Sequence, residues 1–127
     1  TKVDMGGNKI TNVAAGTADT DAVNVGQVNA ALNTVNQNIT NLGNKLSEVG
    51  NESKAGSASA IATANLAQST IPGMGMTTVG LGTYDGQSAI AVGLSKMSDN
   101  GKWVIKASAT TNTQGKVGAG VGVGFHW

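Results

Sequence analysis

Cysteine and arginine are absent from this 127-residue sequence, proline occurs once, and only four residues are aromatic. The lack of cysteine excludes both a disulfide framework and a thiolate metal site. Large buried side chains supply most of the stability of a globular core, so a chain with so few of them is not expected to stand alone as a compact monomer. We therefore expect it to gain stability by oligomerisation.

Charge is also scarce, and the two signs are nearly balanced. Seven acidic residues accompany eight lysines, and no basic cluster marks a nucleic-acid surface, so nucleic-acid binding is not expected. Residues 55–84 carry no charge, but polar residues and glycines interrupt them too often for a helix that crosses lipid. The sequence starts at Thr1 in the middle of a pattern, without a visible signal peptide, and we expect it to be part of a longer protein.

Residues that could support catalysis or bind a metal ion or cofactor are few and scattered. His126 is the only histidine. Asp4, Asp19 and Asp21 lie in turn-rich sequence, which favours solvated acids over calcium ligands. The glycine-rich run 117–124 opens no helix and lacks the Lys-Ser/Thr ending of a phosphate loop. We therefore predict no catalytic, metal or cofactor site.

The first zone, residues 1–24, is dense in Asp, Thr, Gly and Asn and has weak hydrophobic periodicity. Turn-forming residues dominate it, so we predict irregular structure or short strands. Asp21 or Asn24 is expected to cap the helix that follows.

The second zone, residues 25–52, carries apolar residues at alternating spacings of three and four. These predicted core positions are Val25, Val28, Leu32, Val35, Ile39, Leu42, Leu46 and Val49. The spacing predicts a coiled-coil stalk, since an ordinary amphipathic helix would show a wider apolar stripe. With Val25 at position a, leucine is common at a and valine at d, which leans away from a dimer and fits a parallel trimer. The e and g positions carry little charge, so a homo-oligomer is expected.

Small residues replace the large ones in residues 53–71. The helix is expected to continue through this stretch until Pro72 and Gly73 end it. Small side chains let backbones approach each other, or another wall, very closely.

Four strands are predicted in residues 72–127, joined by short turns. Their expected ranges are 76–84, 88–97, 103–111 and 117–127. Strands of about 9–11 residues can cross a bilayer when they are tilted. Aromatic residues lie at or near the strand ends, as membrane-interface residues do; these are Tyr84, Trp103, Phe125 and Trp127.

A sheet in a membrane must close, and four strands cannot close alone. Two chains would supply eight strands and three chains twelve. With the trimeric coiled coil, the strands predict a 12-stranded antiparallel β-barrel of three chains whose lumen is filled by three helices.

The small residues expected to face that lumen are Gly80, Gly82, Gly93, Gly118, Gly120, Gly122 and Gly124. Lys106, in an otherwise apolar strand, is expected either to snorkel or face the lumen, or to contact the helix.

Two other interpretations remain open. Alternating Gly and Val residues also occur in stacked, silk-like or amyloid-like sheets, and a soluble trimeric fibre, such as a phage tail-fibre segment, combines a coiled coil with a β-structured tip. The consistent apolar face on at least three strands favours the membrane barrel. An enzyme is the least favoured interpretation, because no catalytic constellation supports it.

Several motifs point to one family. DAVNVGQV at 21–28 is similar to a neck that joins a β-structured head to a stalk, and the heptads resemble the stalk itself. IPGMGMTTVGLGTYDGQSAIAVGLS at 71–95, GKWVIKASATT at 101–111 and GVGVGFHW at 120–127 resemble a four-stranded membrane anchor. Over nearly its whole length the chain resembles the C-terminal end of a YadA-like trimeric autotransporter adhesin.

This resemblance implies a barrel of three chains in the bacterial outer membrane, with three helices leaving through the pore and the N-terminal part exposed at the cell surface. It implies that the anchor exports its own passenger and tethers it for adhesion, through a head that is not in this sequence and that would bind host surface ligands. Phe125 and Trp127 are similar to the signal read by the outer-membrane barrel assembly machinery. Gly80 and Gly82 lie in the strand whose small residues leave room for chains during export. The implied partners are a homotrimer, outer-membrane lipid, the assembly machinery and host ligands, with no cofactor.

Overall fold

The computed structural model describes residues 1–127 as one helix followed by four strands. The elements are α1 (Val25–Ala64), β1 (Gly75–Tyr84), β2 (Gln87–Met97), β3 (Trp103–Asn112) and β4 (Val117–Phe125). The chain divides into two compact units, Thr1–Lys45 and Leu46–Trp127. None of its helical structure combines the length and the apolar character that a membrane-spanning helix requires.

Residues 1–24 contain turns but no strand, so the irregular alternative of the prediction is the one observed. Asp21 closes one of these turns, because its Oδ2 accepts hydrogen bonds from the backbone N–H groups of Thr17 and Ala18, each at 2.9 Å. The backbone hydrogen bond from Ala18, followed by that from Thr17, holds the pKa of the Asp21 carboxyl below its ordinary value. Asp21 therefore stabilises a turn and does not cap the helix.

Asn24 is the residue that caps α1, which begins at Val25 as the heptads predict. Its Oδ1 accepts from the Gln27 N–H at 2.9 Å, and Gln27 Oε1 accepts from the Asn24 N–H at 3.1 Å. This reciprocal arrangement satisfies two donors that the first helical turn leaves without partners. Gln27 also accepts from the Gly16 N–H at 3.0 Å and donates from Nε2 to the Gly16 carbonyl at 2.9 Å. Gln27 thus completes the cap of α1 and hydrogen-bonds the preceding segment to the helix.

The helix ends earlier than predicted, at Ala64 and not at residue 71. Asn65 donates its side-chain Nδ2 to the Ile61 carbonyl at 2.9 Å, while its backbone N–H is shared between the Ile61 and Ala62 carbonyls. A side chain that competes for helical carbonyls ends a helix, and here the chain then turns to bury Leu66 on the sheet. Pro72 lies several residues beyond this end, so it does not terminate the helix.

The four strands form one antiparallel sheet in the order β1-β2-β3-β4. Their bounds agree with the predicted ranges to within one residue, except that β4 ends at Phe125 and leaves His126 and Trp127 beyond it. Asp85 and Gly86 join β1 to β2 with φ angles of 44° and 85°, the conformation that an Asp-Gly hairpin turn requires.

The core of the unit Leu46–Trp127 is built from small side chains. One cluster of buried residues joins the helix and the segment after it to β2, and consists of Ala58, Ala62, Leu66, Ala89 and Ala91. No large side chain in the chain is fully buried. This agrees with a sequence that offers few large apolar residues for a core.

Candidate functional site

The sheet has two unlike faces. On the face that carries the helix, most cross-strand partners are small or polar, such as Gly80 opposite Ala91 and Gly82 opposite Ala89. This helix-side face continues across β3 and β4, where Ser108 lies opposite Gly120. The other, outward face carries most of the branched and aromatic residues of the strands, and the exceptions include Val104 and Tyr84.

Gly80 and Gly82 bring β1 into direct contact with the helix backbone. A Cβ on Gly80 would collide with the Ala62 carbonyl oxygen. A Cβ on Gly82 would collide with the Ala58 carbonyl oxygen and would lie 2.6 Å from the Ala62 nitrogen. Both glycines therefore permit a helix–sheet distance that no side chain would allow.

Gly93 and Leu66 form the next contact along the same face. A Cβ on Gly93 would lie 2.9 Å from Thr78 Oγ1 and 3.1 Å from Leu66 Cδ1. Two of the seven glycines predicted to face a lumen, Gly80 and Gly82, thus pack under the helix of their own chain, and Gly93 packs under the segment after it.

Polar side chains of the helix-side face fasten the helix and the segment after it to the sheet. Lys106 Nζ donates to the Leu66 carbonyl at 3.1 Å, so this lysine faces the helix side of the sheet but contacts the segment after α1 and not α1 itself. Asn112 Nδ2 donates to Ser59 Oγ at 3.1 Å. The Ser69 N–H donates to Ser95 Oγ at 2.8 Å, and both serines are buried.

Two ion pairs lie at the other end of the sheet, near the hairpin turns. Lys54 Nζ is 3.0 Å from Asp85 Oδ2, and Lys116 Nζ is 3.5 Å from Glu52 Oε1. All four side chains are partly exposed, so each pair contributes less than about 1 kcal/mol. They position the helix relative to the turns more than they stabilise it.

Coverage of the helix-side face decreases from β2 to β4. Its residues are buried on β2, mostly half-buried on β3 and mostly exposed on β4. A Cβ on Gly118 would meet Thr110 Cγ2 at 3.1 Å, and one on Gly120 would lie 3.9 Å from Ser108 Oγ. Gly122 and Gly124 have nothing within 4 Å of such an atom. The helix of the same chain therefore does not lie on the glycines of β4.

Apolar side chains are exposed on the outward face and along the heptad seam. On the outward face they include Val79, Leu81, Ile90, Val92, Leu94, Ile105, Val121 and Val123. The eight predicted coiled-coil positions are between 43% and 74% exposed. A single chain thus leaves two extensive apolar surfaces without partners, which is typical of a subunit that is incomplete alone.

Aromatic residues mark both ends of the sheet. Trp103 and Phe125 are opposite each other in register on the outward face, with ring centroids 4.6 Å apart. Tyr84 ends β1 at the opposite end and lies on the helix-side face. Trp127 follows the last strand and is fully exposed.

Ser95 and Asn112 were not singled out from the sequence, although both hold the helical segment. Ser95 has a positional signal, because the helix-side residues just before it on β2 are alanines and a glycine. Asn112 has none, because the helix-side positions of β3 also carry Lys106, Ser108 and Thr110. Ser69 carries no such signal, since its contact depends on how the chain turns after Ala64. No three His, Cys, Asp or Glu side chains are grouped where they could hold a metal ion.

Two family models match this arrangement of helix and sheet. Residues 9–51 match the coiled stalk of trimeric autotransporter adhesins, and residues 67–127 match the YadA-like membrane anchor domain. The chain belongs to the trimeric autotransporter adhesins. The anchor domain of this family implies a location in the outer membrane.

Two named adhesins are similar to the chain over most of its length. Autotransporter adhesin NhhA of Neisseria meningitidis serogroup B is 41% identical over 119 residues, which are 94% of this chain and 19% of that protein. Autotransporter adhesin EhaG of Escherichia coli O157:H7 is 39% identical over 126 residues, which are 96% of this chain and 8% of that protein. The trimeric autotransporter chain described here thus spans less than a fifth of the length of either relative. Its family is one of adhesins and not of enzymes.

Proposed function

We propose that three copies of this chain form a 12-stranded barrel in the bacterial outer membrane, from which a trimeric coiled coil leaves through the lumen. The observation that carries this proposal is the pair of unlike sheet faces. One face is exposed and apolar, as a lipid-facing surface must be. The other face has glycines at the positions where the helix backbone contacts it.

The sheet edges determine how such a barrel closes. β1 and β4 are the two edge strands. In hydrocarbon the unpaired backbone N–H and C=O groups of an edge strand would have no hydrogen-bond partners. The four strands alternate in direction, so β4 of one chain would meet β1 of the next in antiparallel orientation. A rotationally symmetric ring of three chains then has twelve antiparallel strands and no open edge.

The uncovered glycines of β4 fit the same assembly. In a closed ring, β4 of one chain lies beside β1 of the next, and the neighbouring helix would cover Gly122 and Gly124. Three helices would then fill the lumen, and the seven glycines would all face helix. The exposed heptad residues would pair with their counterparts as a parallel stalk trimer with the irregular neck before it.

Export and tethering follow from this architecture. Gly80 and Gly82 would give the passing chains room in the lumen, and the helix would remain there when export is complete. The N-terminal part would lie at the cell surface, and a head beyond this sequence would bind host surface ligands for adhesion. Phe125 and Trp127 would serve as the signal for the outer-membrane barrel assembly machinery, and the chain itself would catalyse no reaction.

Membrane fractionation tests this proposal. The chain, expressed with an export signal in Escherichia coli, should stay in outer membranes after a urea wash, require detergent for extraction, and run on a denaturing gel as a trimer until heated. A soluble trimer would contradict the barrel and support the fibre alternative. A detergent-extracted monomer would contradict the three-chain assembly.

A further inference from the structure

We propose that the outward face of each chain binds one anionic phospholipid, with the lipid phosphate at Lys96 and an acyl chain along β3. The inference rests on the barrel proposed above, since only a membrane-embedded sheet presents this face to lipid. It adds a specific lipid site to a surface that would otherwise contact lipid without preference.

Lys96 is the only charged side chain on the outward face of the four strands. In the sheet it lies between Gly75 of β1 and Ile105 of β3, and it forms no salt bridge. The carboxylates of Asp85 and Glu52 are paired with other lysines near the hairpin turns. The Lys96 ammonium group thus lacks an anionic partner within the chain.

The position of Lys96 along the strands favours an anionic partner at the membrane interface. Ile105, which lies opposite Lys96, is two residues further into the strand than Trp103. At about 3.3 Å per residue, Lys96 lies about 7 Å further from the sheet end than the aromatic pair of Trp103 and Phe125. A charged group on the lipid side of an aromatic girdle is unfavourable, and a lysine stem is long enough to bring the ammonium group to the phosphates at the interface.

An apolar trough starts beside this lysine and follows β3. We define it by two cavities of about 500 Å³ and 420 Å³ that share Leu94 and Ala107. The first is also lined by Lys96 and Ile105, and the second reaches Ala109. The trough exists because β3 carries alanines at 107 and 109. Leu94 and Val121 are on either side of Ala107, and Val92 is beside Ala109. A phospholipid has an apolar acyl chain next to a charged phosphate. The trough offers the matching arrangement, a narrow apolar channel with the Lys96 ammonium group at one end.

The occupant we infer is phosphatidylglycerol, because its headgroup carries a net negative charge that a lone lysine complements. The trough lies at the sheet end where the segment after the helix joins β1. In the proposed barrel this is the end opposite the stalk, so the lipid belongs to the periplasmic leaflet. Each chain forms its trough from its own strands, including Thr77 of β1, and a trimer would hold up to three lipids.

Native mass spectrometry of the detergent-extracted trimer tests the site. The trimer is incubated with equal amounts of phosphatidylglycerol and phosphatidylcholine of the same acyl length. We expect up to three phosphatidylglycerol adducts per trimer, with at least a five-fold preference over phosphatidylcholine. Lys96→Gln should abolish the preference, whereas Lys96→Arg should keep it. Lys102→Gln, the matched control in the neighbouring turn, removes the same charge and should change nothing.

A second pair of variants tests the trough. Ala107→Leu fills it and should reduce phosphatidylglycerol adducts several-fold. Val117→Leu enlarges an outward side chain that lines neither cavity, and it should leave the adducts unchanged. A trimer that shows no lipid preference, or equal losses in Lys96→Gln and Lys102→Gln, would overturn the lipid site. The absence of any trimer peak in the unmodified chain would instead overturn the barrel itself, so the two failures can be distinguished.

Discussion

Single residues set the distance between the helix and the sheet. Gly82 is the most sensitive of them, because a Cβ there would collide with one helical carbonyl oxygen and lie 2.6 Å from the Ala62 nitrogen. We expect Gly82→Val to destabilise the anchor by at least the ~1–3 kcal/mol that overpacking usually costs. The measurement is the temperature at which the trimer dissociates on a denaturing gel, which should fall markedly.

Gly75→Val is the matched control for that substitution. Gly75 is in the same strand but points outward, and a Cβ there would be 3.6 Å from the nearest atom, the Ser95 carbonyl oxygen, which is an ordinary contact. It should leave the dissociation temperature nearly unchanged. Equal behaviour of the two variants would show that the helix is not held by the glycines of β1.

Lys106 has a separate role at the end of the helical segment. Its ammonium group donates to the Leu66 carbonyl, two residues beyond the end of α1, and a hydrogen bond with a charged donor is stronger than one between neutral groups. Lys106→Met should lower the dissociation temperature, consistent with loss of a charged hydrogen bond of about 1.5–3 kcal/mol per chain. Lys106→Arg should recover most of the effect. An unchanged dissociation temperature in Lys106→Met would show that the contact contributes no stability.

The residue scale also shows what a sequence can reveal about this site. The period of two predicts that Gly80, Gly82 and Gly93 share one face, since strand alternation needs no tertiary information. The same period could not show which of the glycines lie under the helix of their own chain. That depends on the lateral position of the helix over β1 and β2, which no local pattern encodes.

At the scale of elements, α1 depends on its first turn. Gln27 completes the cap with Asn24 and makes two hydrogen bonds to the Gly16 backbone. Gln27→Ala removes all three side-chain hydrogen bonds, each of about 0.5–1.5 kcal/mol. We expect residues 13–24 to exchange amide hydrogens faster, by about ten-fold or more, in hydrogen-exchange mass spectrometry of the full chain.

A glutamine elsewhere in the helix provides the comparison. Gln37 is exposed and forms no side-chain hydrogen bond to another segment. Gln37→Ala should leave exchange in residues 13–24 unchanged. If Gln27→Ala also left it unchanged, the neck segment would be held by something other than this side chain.

The ends of the elements were predicted unequally well. Asn24 and the heptads predicted the start of α1, because capping and periodicity are local properties. Its end at Ala64 could not be predicted from the break at Pro72, since Asn65 competes for a carbonyl and Leu66 is drawn onto the sheet. The helix therefore ends where a local side-chain hydrogen bond and the burial of Leu66 together outweigh the intrinsic preference of a small-residue sequence.

At the scale of the whole molecule, a substitution at Gly122 distinguishes a chain that acts alone from one that assembles as a trimer. Nothing in one chain lies within 4 Å of a Cβ at this position, so a leucine would be harmless if the chain acted alone. In the proposed trimer the helix of the neighbouring chain lies there, and Gly122→Leu should prevent heat-resistant trimers from forming. The measurement is the trimer fraction on an unheated denaturing gel.

Val121→Leu is the control, because Val121 is adjacent, points outward and is 89% exposed. It should leave the trimer fraction unchanged. Stable trimers in Gly122→Leu would mean that the glycine face of β4 remains uncovered in the assembly.

The most direct test of the central claim is a cross-link across the seam between chains. The natural chain has no cysteine, so cysteines can be placed at Val79 in β1 and, in separate variants, at Ala119, Val121 or Val123 in β4. A short bifunctional thiol reagent should produce covalent dimers and trimers in at least one variant, with nothing larger. Val79→Cys with Val92→Cys, which are opposite each other in register within one chain, should produce only monomers. Monomers alone in every β1–β4 variant, or a ladder that continues beyond the trimer, would contradict a closed barrel of three chains.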